Sequence, residues 1–588
     1  MLTRIAKDPS ALGTLLDART IELLGRTLLL GLTAALIAFA LGLPFGFLVA
    51  RTNVFGARAL RALGIVPILL PPIMLAMTWT MLLPFRGPLM CAAILGTSSF
   101  PLVALFAARA AERIDARREE AAQLAGGLGA VLRMELPLVA KPALGGALLA
   151  FIVAINEFAL PDYVSSVGKK FNVYAGEVFS TWQVDNNEAK AVATALPLIV
   201  LTVLAVLPLL WFRRGPSSET IDASFQRPSR LSLGGWRWPA TLFCVAVVTV
   251  AAFAPLGRLF YESGGGSRVF SGVSIRRQAW TQGGGAAQNA PTVQAAPTTD
   301  PNARKNAVTS AQAAARAASG QSPVAQVAQP QSQPVRRRSV DFQAPEVKAA
   351  LKANEKDDVS DFGGGLPVFL ENVEKAFIRA FDLSRGSLLS SLIFALVAAT
   401  LALPVALILG HAVARGRGGG WLQVLAILPI AVPGTLFGIG TMALWNRAAT
   451  ASIYDSGVLV ALLFAGRFLA VPILICAGAV RSYDPRLEES AELAGTGAVP
   501  RLFRIVAPGV WTALVGSWIA VFALSVRELD AAVLVPAAND TAMFRVFNAV
   551  HFGRDDFVSA LSLLVVFAIL LPGLLWALFS KTRLRILP

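Results

Sequence analysis

Residues 484–508 read DPRLEESAELAGTGAVPRLFRIVAP, and residues 115–142 read DARREEAAQLAGGLGAVLRMELPLVAKP. They are two versions of one pattern. A charged run leads into Glu120-Ala121-Ala122 in one and Glu489-Ser490-Ala491 in the other. Six positions after each glutamate comes a glycine, Gly126 or Gly495, and a proline, Pro142 or Pro508, then opens an apolar run. Acidic residues at the start suit the positive end of a helix dipole and Ala and Leu propagate a helix, so each stretch is expected to begin as a short one. Gly126 and Gly495 are expected to end it in a left-handed turn that a side chain would obstruct. A second short helix would then fold back and complete a compact knob.

Around these polar islands the chain is apolar. Its 588 residues are 55% hydrophobic and 15% charged, too apolar for one ordinary soluble domain. At ~20 apolar residues per crossing, eleven spans are expected, near 21–50, 62–84, 88–111, 142–163, 191–212, 238–261, 386–412, 421–446, 456–480, 510–536 and 557–580. The net charge of +16 comes from arginines at the ends of apolar runs, where a membrane protein keeps its cytoplasmic positives, so nucleic acid is not an expected partner. That bias places both knobs in the cytoplasm, the N-terminus outside and the C-terminus inside. The polar N-terminal residues and the long run after them give no sign of a cleavable signal peptide.

Several further echoes recur in the same order. Pro67 and Pro71 match Pro429 and Pro433, Val49-Ala50-Arg51 matches Val413-Ala414-Arg415, and Asn156-Glu157-Phe158 matches Arg527-Glu528-Leu529. The chain therefore reads as an all-α polytopic membrane protein built from a parallel repeat. Its expected parts are an external segment 1–20, a first half 21–214, a cytoplasmic linker 215–237, a leading span 238–261, an insertion 262–365 and a second core 366–588. The insertion, rich in Gly, Ala, Gln, Pro, Ser and Thr, cannot bury enough apolar surface to offset its ordering entropy and is expected to be disordered and external.

The two polar stretches resemble the EAA loop of type I ABC-importer permeases, and the repeated chain resembles the fused double permeases of the ferric-iron and thiamine group. That resemblance implies a cytoplasmic coupling helix in each half, carried by Glu120, Ala121, Ala122, Gly126 and Pro137 in the first copy and Glu489, Ser490, Ala491, Gly495 and Pro508 in the second. It implies two ATPase subunits below and a periplasmic or lipid-anchored substrate-binding protein above. Such permeases usually have six spans per half, one more than the first half supplies here. The first copy is also two residues shorter between Gly126 and Pro137 than the second between Gly495 and Pro508.

No catalytic chemistry is expected of the chain. It has no G-x-x-x-x-G-K-[ST] phosphate loop, so ATP and Mg belong to a partner subunit, and no cofactor is expected here. Cys91, Cys244 and Cys476 lie singly in apolar runs, and His411 and His551 lack metal-ligand spacing, so no metal site is expected. His411 is read as an interfacial residue at the end of its span. Four acids near hydrocarbon, Glu157 and Asp162 with Glu528 and Asp530 in the corresponding places, are candidates for a substrate path, because such groups generally face a bundle interior or wet cavity. Oxygen ligands suit a hard cation, which favours ferric iron as cargo. Thiamine or another small solute, such as a polyamine or phosphonate, is the alternative cargo. The acids also fit helix-end residues exposed to water or paired locally with Arg527. A pseudo-symmetric secondary transporter is the competing class, and blocking ATP hydrolysis while holding the ion gradient separates it from an ATP-driven one.

Overall fold

Proline and glycine placement decides which apolar runs become continuous helices and which break. A computed structural model describes residues 17–168, 170–185, 188–212, 226, 229–266, 269, 365–416, 419–535, 540–551 and 555–580. Helix α1 (Ala18–Arg51) keeps its turn through Pro44. Then α2 (Ala57–Leu63) and α3 (Val66–Leu69) end at Pro71-Pro72, and α4 (Pro72–Leu82) leaves in a new direction. Neither proline can donate a backbone N–H, and the chain bends by 98° there. The span expected at 62–84 is thus a bent pair. Helix α5 (Pro88–Glu112) is straight enough to cross, α6 (Ala116–Asn156) carries the first knob at its start, and α7 (Ala159–Val167), α8 (Tyr174–Asp185) and α9 (Glu188–Phe212) complete the first half.

After the linker, α10 (Gly234–Ser263) forms one long apolar helix. The second core runs through α11 (Gly365–Ala414), α12 (Gly419–Ala431), α13 (Gly434–Trp445), α14 (Ala448–Tyr454), α15 (Gly457–Phe468) and α16 (Ala470–Arg481). It continues through α17 (Pro485–Leu493), α18 (Ala498–Gly509), α19 (Trp511–Arg527), α20 (Ala542–His551) and α21 (Asp555–Phe579). Among the described residues, six helices are long and apolar enough to cross a membrane, and three bent pairs raise this to nine. Shorter apolar helices fall in other expected spans, Gly434–Trp445 in 421–446 and Ala470–Arg481 at the end of 456–480, and breaks at Pro71, Pro433 and after Gly509 interrupt the apolar runs. Among the described residues the regular structure is helical, with one isolated bridge, Thr52 to Leu231, tying the linker to the end of α1. The expectations for residues 1–16, for 213–225 of the linker region, for 270–364 of the insertion and for the tail 581–588 lie outside the described residues.

Helices α1 and α5 approach closely because glycines face small residues. A Cβ on Gly46 would lie 2.2 Å from the Ala104 carbonyl oxygen, and one on Gly42 would lie 2.6 Å from that of Phe100. Small residues at such contacts let backbones meet in the bilayer, where van der Waals packing takes over from the hydrophobic effect. Gly46→Ala is expected to cost about 1–3 kcal/mol by overpacking, measured as a lower thermal midpoint of the detergent-solubilised protein. The three cysteines, all 0% exposed, are packed between helices rather than turned to lipid.

Helix α10, expected as the leading span of the second half, packs its first part on the first half. Cys244, Val247, Val248 and Ala251 join Phe45, Val49, Leu60, Phe100 and Ala104 in one apolar cluster. Its last part meets α11, where Phe260 packs edge-on against Phe369 with ring centroids 5.8 Å apart. The repeat itself is written in matched hydrogen bonds. The Thr27 hydroxyl accepts from the Tyr174 N–H at 2.9 Å, and the Ser391 hydroxyl accepts from the Ala542 N–H at 2.8 Å. In both halves a hydroxyl of the long first helix thus caps the first residue of a later helix.

Candidate functional site

Each knob starts with a capped helix. Asp115 accepts from the Arg117 N–H and Asp484 from the Arg486 N–H, both at 3.0 Å, which satisfies one orphan donor of each first turn. The first copy departs from expectation at its turn. Gly126 is extended (φ −177°), and the left-handed residue is the next one, Gly127 (φ 64°). In the second copy Gly495 does take the left-handed conformation (φ 81°). Position 127 is a glycine in the first copy and the matching position is Thr496 in the second, so the turn can slip by one residue only where two glycines stand together. Past the turn, α6 runs on through Pro137 and Pro142 to Asn156, whereas the second copy closes α18 at Gly509 and bends by 83° into α19. Pro508 lies within α18, at its end.

The glutamates of the motif sort differently from the sequence reading. Glu120 and Glu489 are exposed, with Ala121 and Ser490 beside them, while Ala122 and Ala491 are half-buried. The buried residues are the preceding glutamates, Glu119 and Glu488. In the first half Arg51, at the end of α1, donates to Glu119 at 2.8 Å and to Glu135 at 2.6 Å. All three side chains are 3% exposed or less. The same guanidinium donates to the Ser229 carbonyl at 2.7 Å, and the Leu231 N–H donates to the Arg51 carbonyl at 2.7 Å, so the linker is fastened to the same point.

The second half answers with Arg415 and His411 on Glu488, the histidine Nε2 lying 2.6 Å from the carboxylate. His411, expected as an interfacial residue, is thus an anchor of the second knob. Burial by itself would push the Glu488 carboxyl up, but hydrogen bonds from His411 and Arg415 outweigh it and hold the group below its ordinary value. A carboxyl lowered on folding contributes stability above its unfolded value, about 4.3, and that contribution is lost as the pH falls through the lowered folded value. The stability gap between the native chain and Glu488→Gln is therefore expected to be full at pH 7 and to shrink towards pH 3, which thermal unfolding across that range would measure.

At the other end of these spans lies a cleft between the halves. Helix α6 stops at Asn156 and α19 at Arg527, and the next residue, Glu157 or Glu528, is extended with ψ 127° in both. Each carboxylate then accepts from the N–H three residues on, Leu160 at 3.4 Å and Ala531 at 2.9 Å, so each caps the turn that follows its break. Pro72, Glu157 and Ala159 from one half and Arg527, Glu528 and Asp530 from the other line about 270 Å³ of open space. Glu157 and Asp530 are each 8% exposed. The Phe158 N–H donates across the interface to Asp530 at 3.5 Å.

Three of the four expected path acids are thus brought together. Asp162 is not among them: it is exposed on α7, and the position matching it in the second half is Val533 rather than Asp530. Sequence reading also missed Arg467, which reaches from α15 to within 3.0 Å of Glu528. A lone arginine inside the apolar run of α15 was the available signal. No three metal-ligating side chains gather among the described residues.

Fold and site together define a polytopic all-α membrane protein with a pair of anchored polar knobs at one end and a charged cleft at the other. Residues 42–216 match the family described as "Binding-protein-dependent transport system inner membrane component". The chain is 26% identical over 177 residues to the Putrescine transport system permease protein PotI of Escherichia coli, a match covering 29% of this chain and 62% of that protein. It is 30% identical over 176 residues to a "Probable molybdenum ABC transporter permease protein" of Haloferax volcanii, covering 26% of this chain and 62% of the relative. It is 28% identical over 209 residues to the Molybdate/tungstate transport system permease protein WtpB of Thermococcus kodakarensis, covering 34% of this chain and 83% of the relative. The chain thus spans less than two thirds of the length of the first two relatives.

Proposed function

We propose that this chain is the transmembrane subunit of an ATP-driven importer, with two permease halves fused in one polypeptide. The observation that carries the reading is the apex of the knobs. Leu124 and Leu493 occupy matching positions and are 91% and 90% exposed, each on a polar helix anchored at its base by an Arg–Glu pair. A large apolar side chain held out at the same place in two rigid polar loops fits a protein partner better than water. One ATPase subunit under each knob is the partner of that geometry, with ATP and Mg bound there. Glu120, Ala121, Ala122, Gly126 and Pro137, with Glu489, Ser490, Ala491, Gly495 and Pro508, shape the knobs. ATP-driven closure of the ATPase pair would move both knobs together and switch the halves, and such a switch needs differential affinity for the two states.

The cargo is proposed to be a small charged solute handed over by an external binding protein. Ferric iron held directly by the carboxylates loses support, because Glu528 faces Arg467 and Asp530 accepts a backbone N–H. The solutes named for the relatives, putrescine and molybdate or tungstate, need no such metal-ligand set. The test is the double substitution Leu124→Asp with Leu493→Asp. Loss of ATPase co-purification and of ATP-dependent uptake with membrane insertion intact supports the reading; unchanged association overturns it.

A further inference from the structure

The two halves match in the cleft at Glu157 and Glu528, but they differ at the residue before each helix break. In the first half it is Asn156, whose amide stays local: its Nδ2 donates to the Ile152 carbonyl at 2.8 Å and to the Thr202 hydroxyl at 3.4 Å. In the second it is Arg527, and its guanidinium crosses the interface to donate to the Ile68 carbonyl. That carbonyl is available for a chemical reason. The residue four positions on is Pro72, which has no N–H, so the helical bond that Ile68 would accept cannot form. An orphan acceptor in one half and a displaced cation in the other thus meet at the seam.

Glu157 lies beside this bond with little to hold it. Among the described residues its hydrogen bonding is the long 3.4 Å contact from Leu160, and it has no ion-pair partner, although it is 8% exposed and lines the open space. Glu528 faces Arg467, and Asp530 takes the Phe158 N–H. Once Arg527 leaves, three carboxylates and one guanidinium line the walls. The seam lies far from the knobs, because α19 climbs 17 residues from Trp511, a rise of about 25 Å.

We propose that Arg527 is the bolt of a gate at the end of the pathway opposite the knobs, and that the pathway behind it takes cationic solutes. The bolt is seated when the two halves meet at Ile68. Separation of the halves draws it out, exposes Glu157 and leaves a negatively lined passage. Glu157 then serves as the cation contact on the first-half wall. This rests on the permease reading above, and the experiment separates the two.

The assay is ion leak through liposomes holding the full chain with its ATPase subunits, without ATP, under opposed potassium and chloride gradients. Wild-type vesicles are expected to be tight. Arg527→Gln is expected to raise the leak at least tenfold with a reversal potential near that of potassium, and Glu157→Gln added to it should abolish that preference. Tight Arg527→Gln vesicles, or a leak preferring chloride, would overturn the proposal. Should Arg527→Gln fail to assemble, Arg527→Lys decides: the shorter single donor should leak at an intermediate level with the same preference, and a tight or chloride-selective Lys variant is equally fatal. A failure of the permease reading shows elsewhere, as ATPase subunits that do not co-purify with the wild-type chain.

Discussion

Arg51→Ala is expected to destabilise the first half by about 3–5 kcal/mol, because it strands a buried charge on each of two glutamates. Arg51 is 2% exposed, Glu119 3% and Glu135 0%, so water cannot take over the lost hydrogen bonds. The same change frees the Ser229 carbonyl and loosens the linker from the end of α1. The thermal midpoint of the solubilised protein should fall sharply. Adding Glu135→Gln should recover part of the loss, since one stranded charge is then removed. The matching change Arg415→Ala should cost less, because His411 still reaches Glu488 and those side chains are 10–18% exposed. Equal losses in the two variants would refute the view that burial and charge count set the effect.

The second large effect belongs to Leu124→Asp with Leu493→Asp. Both side chains stand almost fully in solvent, so the exchange should leave the fold and its thermal midpoint within ~0.5 kcal/mol of the native chain. At a docking site the same two positions would act as anchors, where truncation typically costs ~2 kcal/mol or more each. Two kcal/mol is about 30-fold in affinity. Each single variant should therefore weaken ATPase association by that order, and the pair should abolish coupled uptake. Association measured in detergent, with the thermal midpoint as control, separates lost docking from lost folding. Since the first knob turns at Gly127 and the second at Gly495, the single variants are expected to differ in size.

The halves share a plan and differ in charge. One knob rests on an arginine between two glutamates and the other on a glutamate between an arginine and a histidine. The first anchor thus carries one more carboxylate than the second. In the cleft the asymmetry runs the same way, with Arg467 and Arg527 both on the second half.

The chain's all-α membrane character, its repeat and the location of both knobs follow from the sequence alone. Apolar run length, arginine at run ends and the recurrence of one polar pattern are local properties that a linear reading can carry. The Thr27–Tyr174 and Ser391–Ala542 hydrogen bonds sit at corresponding places, beside the likeness of Asp115, Glu120 and Gly126 to Asp484, Glu489 and Gly495. Which glutamate is buried was not legible, because Glu119 and Glu120 are neighbours and helical phase against α1 decides which one meets Arg51. Nor was the slip of the left-handed turn from Gly126 to Gly127, since two adjacent glycines offer the backbone two equivalent places to turn. The exclusion of Asp162 from the cleft, the arrival of Arg467 there and the crossing of Arg527 to Ile68 were decided by tertiary structure. Each depends on which helix faces which across the seam, and the need of a buried polar group for a partner can be met by residues hundreds of positions away.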